Sequence, residues 1–294
     1  MKLLLFIVSI LCSSVLFAQS PVLLLNDDLI ASDLPASQNF KLNKGIILVE
    51  AVVDGRTGTF ILDTGAPGVV LNQNPRSSTQ ATSGLHKPTP AENIVLKEFS
   101  WQGETHKNIP GLRIDLSHLE AKTSTPLGGL LGYGLLKDRE LEIDYPRQQI
   151  RLNDGKTRHR NPLSSTPFRL VGHAPVVRIQ LNGKTYHFLI DTGASINVLD
   201  EKLVEKLADQ FSETHRTKTI YGVDRTPLKT KTGTLRDVRL NKHAAGRDLT
   251  VHLTDLNFLR EQFQHPIDGI LGYPFFAERH VVINYGKRRI YFLK

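Results

Sequence analysis

Two aspartates occupy the same local setting, in Phe60-Ile61-Leu62-Asp63-Thr64-Gly65-Ala66 and Phe188-Leu189-Ile190-Asp191-Thr192-Gly193-Ala194, 128 positions apart. Each carboxylate follows three apolar residues and precedes a Thr-Gly pair. One such triplet alone reads as an Asx turn, in which the side chain hydrogen-bonds its own backbone. Two of them allow more. Carboxyls brought side by side can share a proton and so supply both a general base and a general acid. A duplicated turn has no need of aspartate twice, since asparagine or serine makes the same bend.

The surrounding chain repeats as well. Gly45 to Gly55 and Ala174 to Gly183 each read as a strand ending in an Asp-Gly or Asn-Gly hairpin turn, followed by the acid-bearing strand. Later, Gly129-Leu130-Leu131-Gly132-Tyr133 matches Gly269-Ile270-Leu271-Gly272-Tyr273. The match continues from Leu141-Glu142-Ile143-Asp144-Tyr145 to Val281-Val282-Ile283-Asn284-Tyr285, and from Ile150-Arg151-Leu152 to Ile290-Tyr291-Phe292. This is the pattern of a duplicated, mostly β protein. The expected organisation is a signal peptide over 1–18, an N-terminal lobe over 37–152, a linker over 153–167 and a C-terminal lobe over 168–294. The middles differ. Leu199, Leu203, Val204, Leu207 and Phe211 predict an amphipathic helix in the second copy only, and Leu256, Leu259 and Phe263 predict a second short one.

The start of the chain has its own signature. Met1-Lys2 is a short basic start, Leu3 to Leu11 is apolar, and small residues lead to Ala18. That reads as a secretory signal peptide, too short to span a membrane. The expectation is an exported protein, periplasmic or extracellular, with no membrane span. Cys12 is the single cysteine of the 294 residues and would leave with that segment. Disulfides, thiolate catalysis and cysteine-ligated zinc are then excluded from the mature chain. The formal net charge is +8. The basic residues are scattered, and aromatic residues do not interleave with them as a stacking platform for bases requires, so no nucleic-acid partner is expected. The 11 histidines include no His-x-x-x-His pair, and neither a Gly-x-Ser-x-Gly nor a phosphate-binding loop occurs. Trp101 reads as packing.

The two Asp-Thr-Gly segments, with Leu130-Leu131-Gly132 and Ile270-Leu271-Gly272 as partners, resemble the aspartic peptidases, the retropepsin-like kind most closely. The likeness spans about residues 40 to 294, loosely in the middle of each copy. It implies a bilobal, pepsin-like fold built from two retropepsin-like β-barrel lobes with few short helices. It also implies an aspartic endopeptidase with Asp63 and Asp191 catalytic, water as the nucleophile and no metal or organic cofactor. Thr64 and Thr192 resemble the family's threonines that cross-link the two loops, and Gly65 and Gly193 leave room for backbone amides to approach the carboxylates. Tyr221 and Gly222 are the candidate flap over the cleft. The substrate would be an extended peptide or protein, and the fused lobes imply an active monomer with internal pseudo-two-fold symmetry. Alanine follows the glycine in both copies, as in retropepsins, where many pepsins have a hydroxyl. Losing that hydrogen bond to the charged acid implies a mildly acidic optimum. Two other readings stay open: a catalytically silent peptide-binding or inhibitory protein on the same fold, and a processing enzyme dedicated to one partner.

Overall fold

In the computed structural model, residues 37–73, 91–157, 159, 162–221, 227–240 and 247–294 are described. The expected signal segment and the candidate flap residue Gly222 lie outside them. The two hairpin turns form as their sequences require. Asp54 and Gly55 have φ of 47° and 78°, and Asn182 and Gly183 have φ of 48° and 72°. Positive φ at both positions is the two-residue type I′ loop, whose twist matches the strands it joins. The first loop joins Ile46–Val53 to Arg56–Leu62, and the second joins Ala174–Leu181 to Lys184–Ile190.

Both second strands end in three buried apolar residues, and each is gripped by its predicted partner segment. Phe60, Ile61 and Leu62 pair in parallel with Gly129, Leu130 and Leu131. Phe188, Leu189 and Ile190 pair in parallel with Gly269, Ile270 and Leu271. A full apolar run, rather than an alternating one, suits strands covered on both faces.

The described chain is mostly β. Lys41–Asn43, Ile46–Val53, Arg56–Leu62, Gly129–Leu131, Val69–Asn72, Glu104–Ile114 and Glu92–Trp101 form a seven-stranded sheet in that order. A further pairing of Ile46–Val53 with Glu92–Trp101 closes six of these strands into a barrel. Its interior holds Phe60 edge-on to Phe99 at 6.5 Å. Trp101 is buried in the same core cluster, which agrees with its reading as packing. Burying one such phenylalanine contributes about 2–3 kcal/mol.

A sheet of thirteen strands contains the rest. Toward one end of it, Glu140–Asp144 runs antiparallel to His280–Asn284, so the two ends of the sequence repeat meet each other directly. Glu140 is fully buried there. Burial alone would raise its pKa, but hydrogen bonds from His159, Asn153 and Asn284 outweigh it and hold the carboxyl below the usual range. The last residues of the stretch expected as a linker, Ser164 to Pro167, are strand and pair with Arg289 to Phe292.

The described helices are short: Ser117–Thr123, Tyr133–Leu136, Asn257–Phe263 and Tyr273–Phe276, beside two 3₁₀ turns. Asn257–Phe263 is the second predicted helix. The first prediction fails. Val198–Asp200 is a strand, Glu201–Leu203 and Glu205–Leu207 are single 3₁₀ turns, and Phe211 opens the next strand. Leu199, Leu203, Leu207 and Phe211 are all buried, so their spacing encoded one face of a winding segment. An α-helix is blocked because Leu199 is committed to pairing with Leu253 and Gly269. Among the described residues no helix is long and apolar enough to cross a membrane.

Candidate active site

Each aspartate enters its loop held by its neighbour's backbone. The Asp63 N–H donates to the Leu131 carbonyl at 2.9 Å, and the Asp191 N–H donates to the Leu271 carbonyl at 3.0 Å. The chain then turns so that the Gly65 N–H donates to Asp63 Oδ1, and the Gly193 N–H to Asp191 Oδ1, both at 2.8 Å. Behind each loop a glycine lets the next segment close in. A methyl on Gly132 would lie 2.3 Å from the Ala66 carbonyl oxygen, and one on Gly272 would lie 2.3 Å from that of Ile196. Tyr133 and Tyr273, the next residues, donate their N–H groups to the Ala66 and Ala194 carbonyls at 2.9 and 2.8 Å. The glycine of each Leu-Leu-Gly or Ile-Leu-Gly segment is therefore a packing requirement of the acid loop.

The loops are bonded to one another by their threonines. The Thr64 N–H donates to Thr192 Oγ1 and the Thr192 N–H donates to Thr64 Oγ1, each at 3.1 Å. The hydroxyls then donate across the junction, Thr64 to the Ile190 carbonyl at 3.0 Å and Thr192 to the Leu62 carbonyl at 2.9 Å. All four bonds are buried and reciprocal, so the positions of Asp63 and Asp191 are fixed relative to each other.

The two carboxyls lie within hydrogen-bonding reach of one another. Gly193 is what allows this approach: a Cβ there would sit 2.6 Å from Asp63 Cγ. On the other side, a Cβ on Gly65 would sit 3.3 Å from Asp191 Cγ. These glycines make room for the opposite carboxyl, beyond the expected room for amides.

Both acids are almost completely buried. Burial raises the pKa of Asp63 to about 6, against hydrogen bonds from the Gly65 amide that lower it. Burial also raises Asp191 well above the usual value, and the charge of Asp63 raises it further. Asp191 Oδ2 is buried with no partner among the described residues, as suits a carboxyl pair that needs a proton between its oxygens. Below the pair lies aromatic packing, Tyr145 on Tyr273 at 6.0 Å and Tyr285 on Tyr133 at 5.7 Å. Burial pushes the pKa of Tyr145 and Tyr285 up; Tyr273 and Asp191 add to the first, and Tyr133, Asp63 and Asp191 to the second, so both remain neutral phenols. Such a pair can hold one proton and one charge and titrates as a unit.

The structure thus brings together Asp63, Thr64, Gly65, Asp191, Thr192 and Gly193. Tyr221 ends the strand Phe211–Tyr221, opposite Pro227 of Pro227–Val238, and Gly222 lies outside the described residues.

Two residues with no motif also reach the loops. His173 Nε2 lies 2.8 Å from the Gly65 carbonyl oxygen, which can only accept, so this nitrogen carries the proton. The ring is edge-on to Phe263 at 5.6 Å, and burial lowers its pKa. Lys122 Nζ donates to Ser195 Oγ at 3.0 Å, directly beyond the second loop. Each acid loop is therefore also held by a side chain from the other half of the sequence. The only sequence signal for His173 is its place in the turn between Ser164–Val171 and Ala174–Leu181.

Residues 177–275 match the family model for aspartyl proteases. That stretch contains Asp191-Thr192-Gly193 and Gly269 to Tyr273, but not the Asp63 loop. No curated protein matches the chain.

Proposed function

We propose that this chain is an exported aspartic endopeptidase that hydrolyses peptide bonds with water activated between Asp63 and Asp191. The observation that carries the reading is the contact of two buried, pKa-raised carboxyls whose loops are cross-bonded by Thr64 and Thr192. A binding scaffold has no need to desolvate two acids against each other, a costly arrangement unless their proton is used. In the proposed reaction, the ionised carboxyl takes a proton from water as the water attacks the peptide carbonyl. The protonated carboxyl donates to the carbonyl oxygen, and a proton then passes to the leaving amine. Two lobes, 37–152 and 168–294, each supply one acid, and a monomer is sufficient. Residues 1–18 direct export, and Tyr221 and Gly222 are the candidate flap over the bound peptide.

The test is cleavage of a mixed peptide library by the mature chain from pH 3 to 7. Peptides bound but uncut would favour the silent-scaffold reading.

The pH–rate profile is a sharper check. Activity needs one proton on the pair, so the acid limb follows its lower pKa. With Asp63 pushed to about 6 by burial, and only alanine beyond each glycine, the acid limb is expected to be half-maximal near pH 6, with the maximum just above it. The rate should fall about tenfold per pH unit on the acid side, once both carboxyls protonate. A maximum near pH 2 would overturn this.

His173→Ala removes the donor to Gly65 and is expected to lower kcat about tenfold, with KM changing less than about threefold. His173→Gln, which keeps an N–H donor, should recover most of the loss. Equal activity in the alanine and glutamine variants would show that the bond does not position the loop.

A further inference from the structure

On the face of the thirteen-stranded sheet where Glu140–Asp144 meets His280–Asn284, a cavity of about 490 Å³ opens. No residue of either Asp-Thr-Gly loop lines it. Its most unusual member is Arg279. The guanidinium carbon lies 4.7 Å from the centre of the Phe275 ring and 4.9 Å from that of Phe292, so two aromatic faces hold it in place. Its Nε is buried with no hydrogen-bond partner among the described residues. No carboxylate of the described residues forms an ion pair with it.

The neighbouring charges are mostly committed elsewhere. Arg147 pairs with Asp144 at 2.8 Å, and His280 pairs with Glu142 at 2.9 Å. Arg247, which also lines the cavity, forms no ion pair among the described residues. Burial and then repulsion from Arg247 lower the pKa of Arg279 to about 10, against a smaller opposing pull from Glu278. Arg147, Arg247, Arg279 and Lys294 line the cavity against the carboxylates of Asp144 and Glu278, and among the described residues Glu278 forms no ion pair with Arg247 or Arg279, so a bound anion would offset the excess of positive charge.

We propose that Arg279 and Arg247 form a binding site for a phosphate-class oxyanion, separate from the aspartate pair. The rings of Phe275 and Phe292 orient the fork of Arg279 before the ligand arrives, and Arg247 adds a second cation from the flanking strand Arg247–Thr254. A planar guanidinium presents paired N–H donors that suit a tetrahedral oxyanion. Phe292 belongs to Arg289–Leu293 and Asp144 to Glu140–Asp144, on either side of His280–Asn284 in the sheet, so an occupant would brace strands from both halves of the sequence.

The test is thermal unfolding of the mature chain with inorganic phosphate, against potassium chloride at the same ionic strength. Phosphate at tenfold its dissociation constant should raise Tm by about 3–6 °C in the wild type. Arg247→Gln, an exposed position that leaves packing intact, should weaken phosphate about tenfold. Arg279→Gln should abolish the response. A parallel flotation assay with phosphatidylglycerol vesicles, against phosphatidylcholine vesicles, identifies the source. Vesicle binding lost in both variants assigns the site to a lipid headgroup, whereas phosphate stabilisation without vesicle binding assigns it to a free anion. The proposal is overturned if neither probe acts on the wild type, or if Arg247→Gln responds as the wild type does.

Discussion

Asparagine in place of either Asp63 or Asp191 is expected to lower kcat by about 10³-fold or more, because each variant removes either the base or the acid of a pair that works as one unit. The double variant should be little worse than either single one, since a unit that has lost one member has little left to lose. Peptide-cleavage rates of the three variants check this, and full activity in Asp63→Asn or Asp191→Asn would exclude a shared dyad.

The same substitutions have a stability signature of opposite sign. Asp63 has a folded pKa of about 6, raised from 3.8 by burial. A carboxyl that binds its proton more tightly when folded favours the folded state at low pH. That advantage is complete below the unfolded value and is lost as pH rises through the folded one. Between those limits the cost reaches about 3 kcal/mol. Asp63→Asn escapes it, so its urea midpoint should exceed that of the wild type at pH 7.5 and approach it at pH 4. A variant that is inactive yet more stable at neutral pH separates lost chemistry from lost folding.

Thr64→Val is expected to have the largest effect on stability. Valine keeps the shape but strands the Thr192 N–H without its acceptor and the Ile190 carbonyl without its donor, both buried. Each orphaned group costs about 1–3 kcal/mol, so unfolding free energy should fall by about 2–5 kcal/mol. Thr64→Ser keeps both bonds and loses one methyl, about 1 kcal/mol. Thr192→Val should behave as Thr64→Val does, given the reciprocal geometry. Urea denaturation of the four proteins measures the difference. Activity should track it, because the threonine bonds set the distance across which the carboxyls share a proton. A valine variant as stable as the serine one would mean that the cross-bonds contribute nothing.

Much of the β framework was legible because its signals are local. Asp54-Gly55 and Asn182-Gly183 specify a turn from two residues, and the apolar runs before Asp63 and Asp191 specify covered strands. Other elements were not legible, for reasons particular to each. Ser117–Thr123 has seven residues, too few to hold a helix alone. It forms because Leu116 is buried beneath it and the Leu116 N–H finds Asn72 Oδ1 at 3.0 Å. Its counterpart Asn257–Phe263 was readable through Leu256, Leu259 and Phe263, and the shared offset of Leu116 and Leu256 from their Gly-Leu-Leu and Gly-Ile-Leu segments was the overlooked clue. From Leu199 to Phe211 the periodicity reports burial without regular helix, because 3₁₀ turns and strand ends bury the same side chains.

The sequence by itself determined the chemistry on offer: two carboxylates, each on the end of a covered strand, each followed by a threonine and a glycine that have no side-chain alternative of the same size and bonding. Tertiary structure decided that these carboxyls meet. Their approach depends on Gly193 lying against Asp63, and on threonine bonds between residues 128 positions apart. It depends also on His173, which reaches the Gly65 carbonyl from 108 positions away. A pKa is raised by what surrounds a group in space, and no stretch of sequence carries the Tyr145 and Tyr285 rings both to Asp191. The reagents are local; their coupling is a property of the fold.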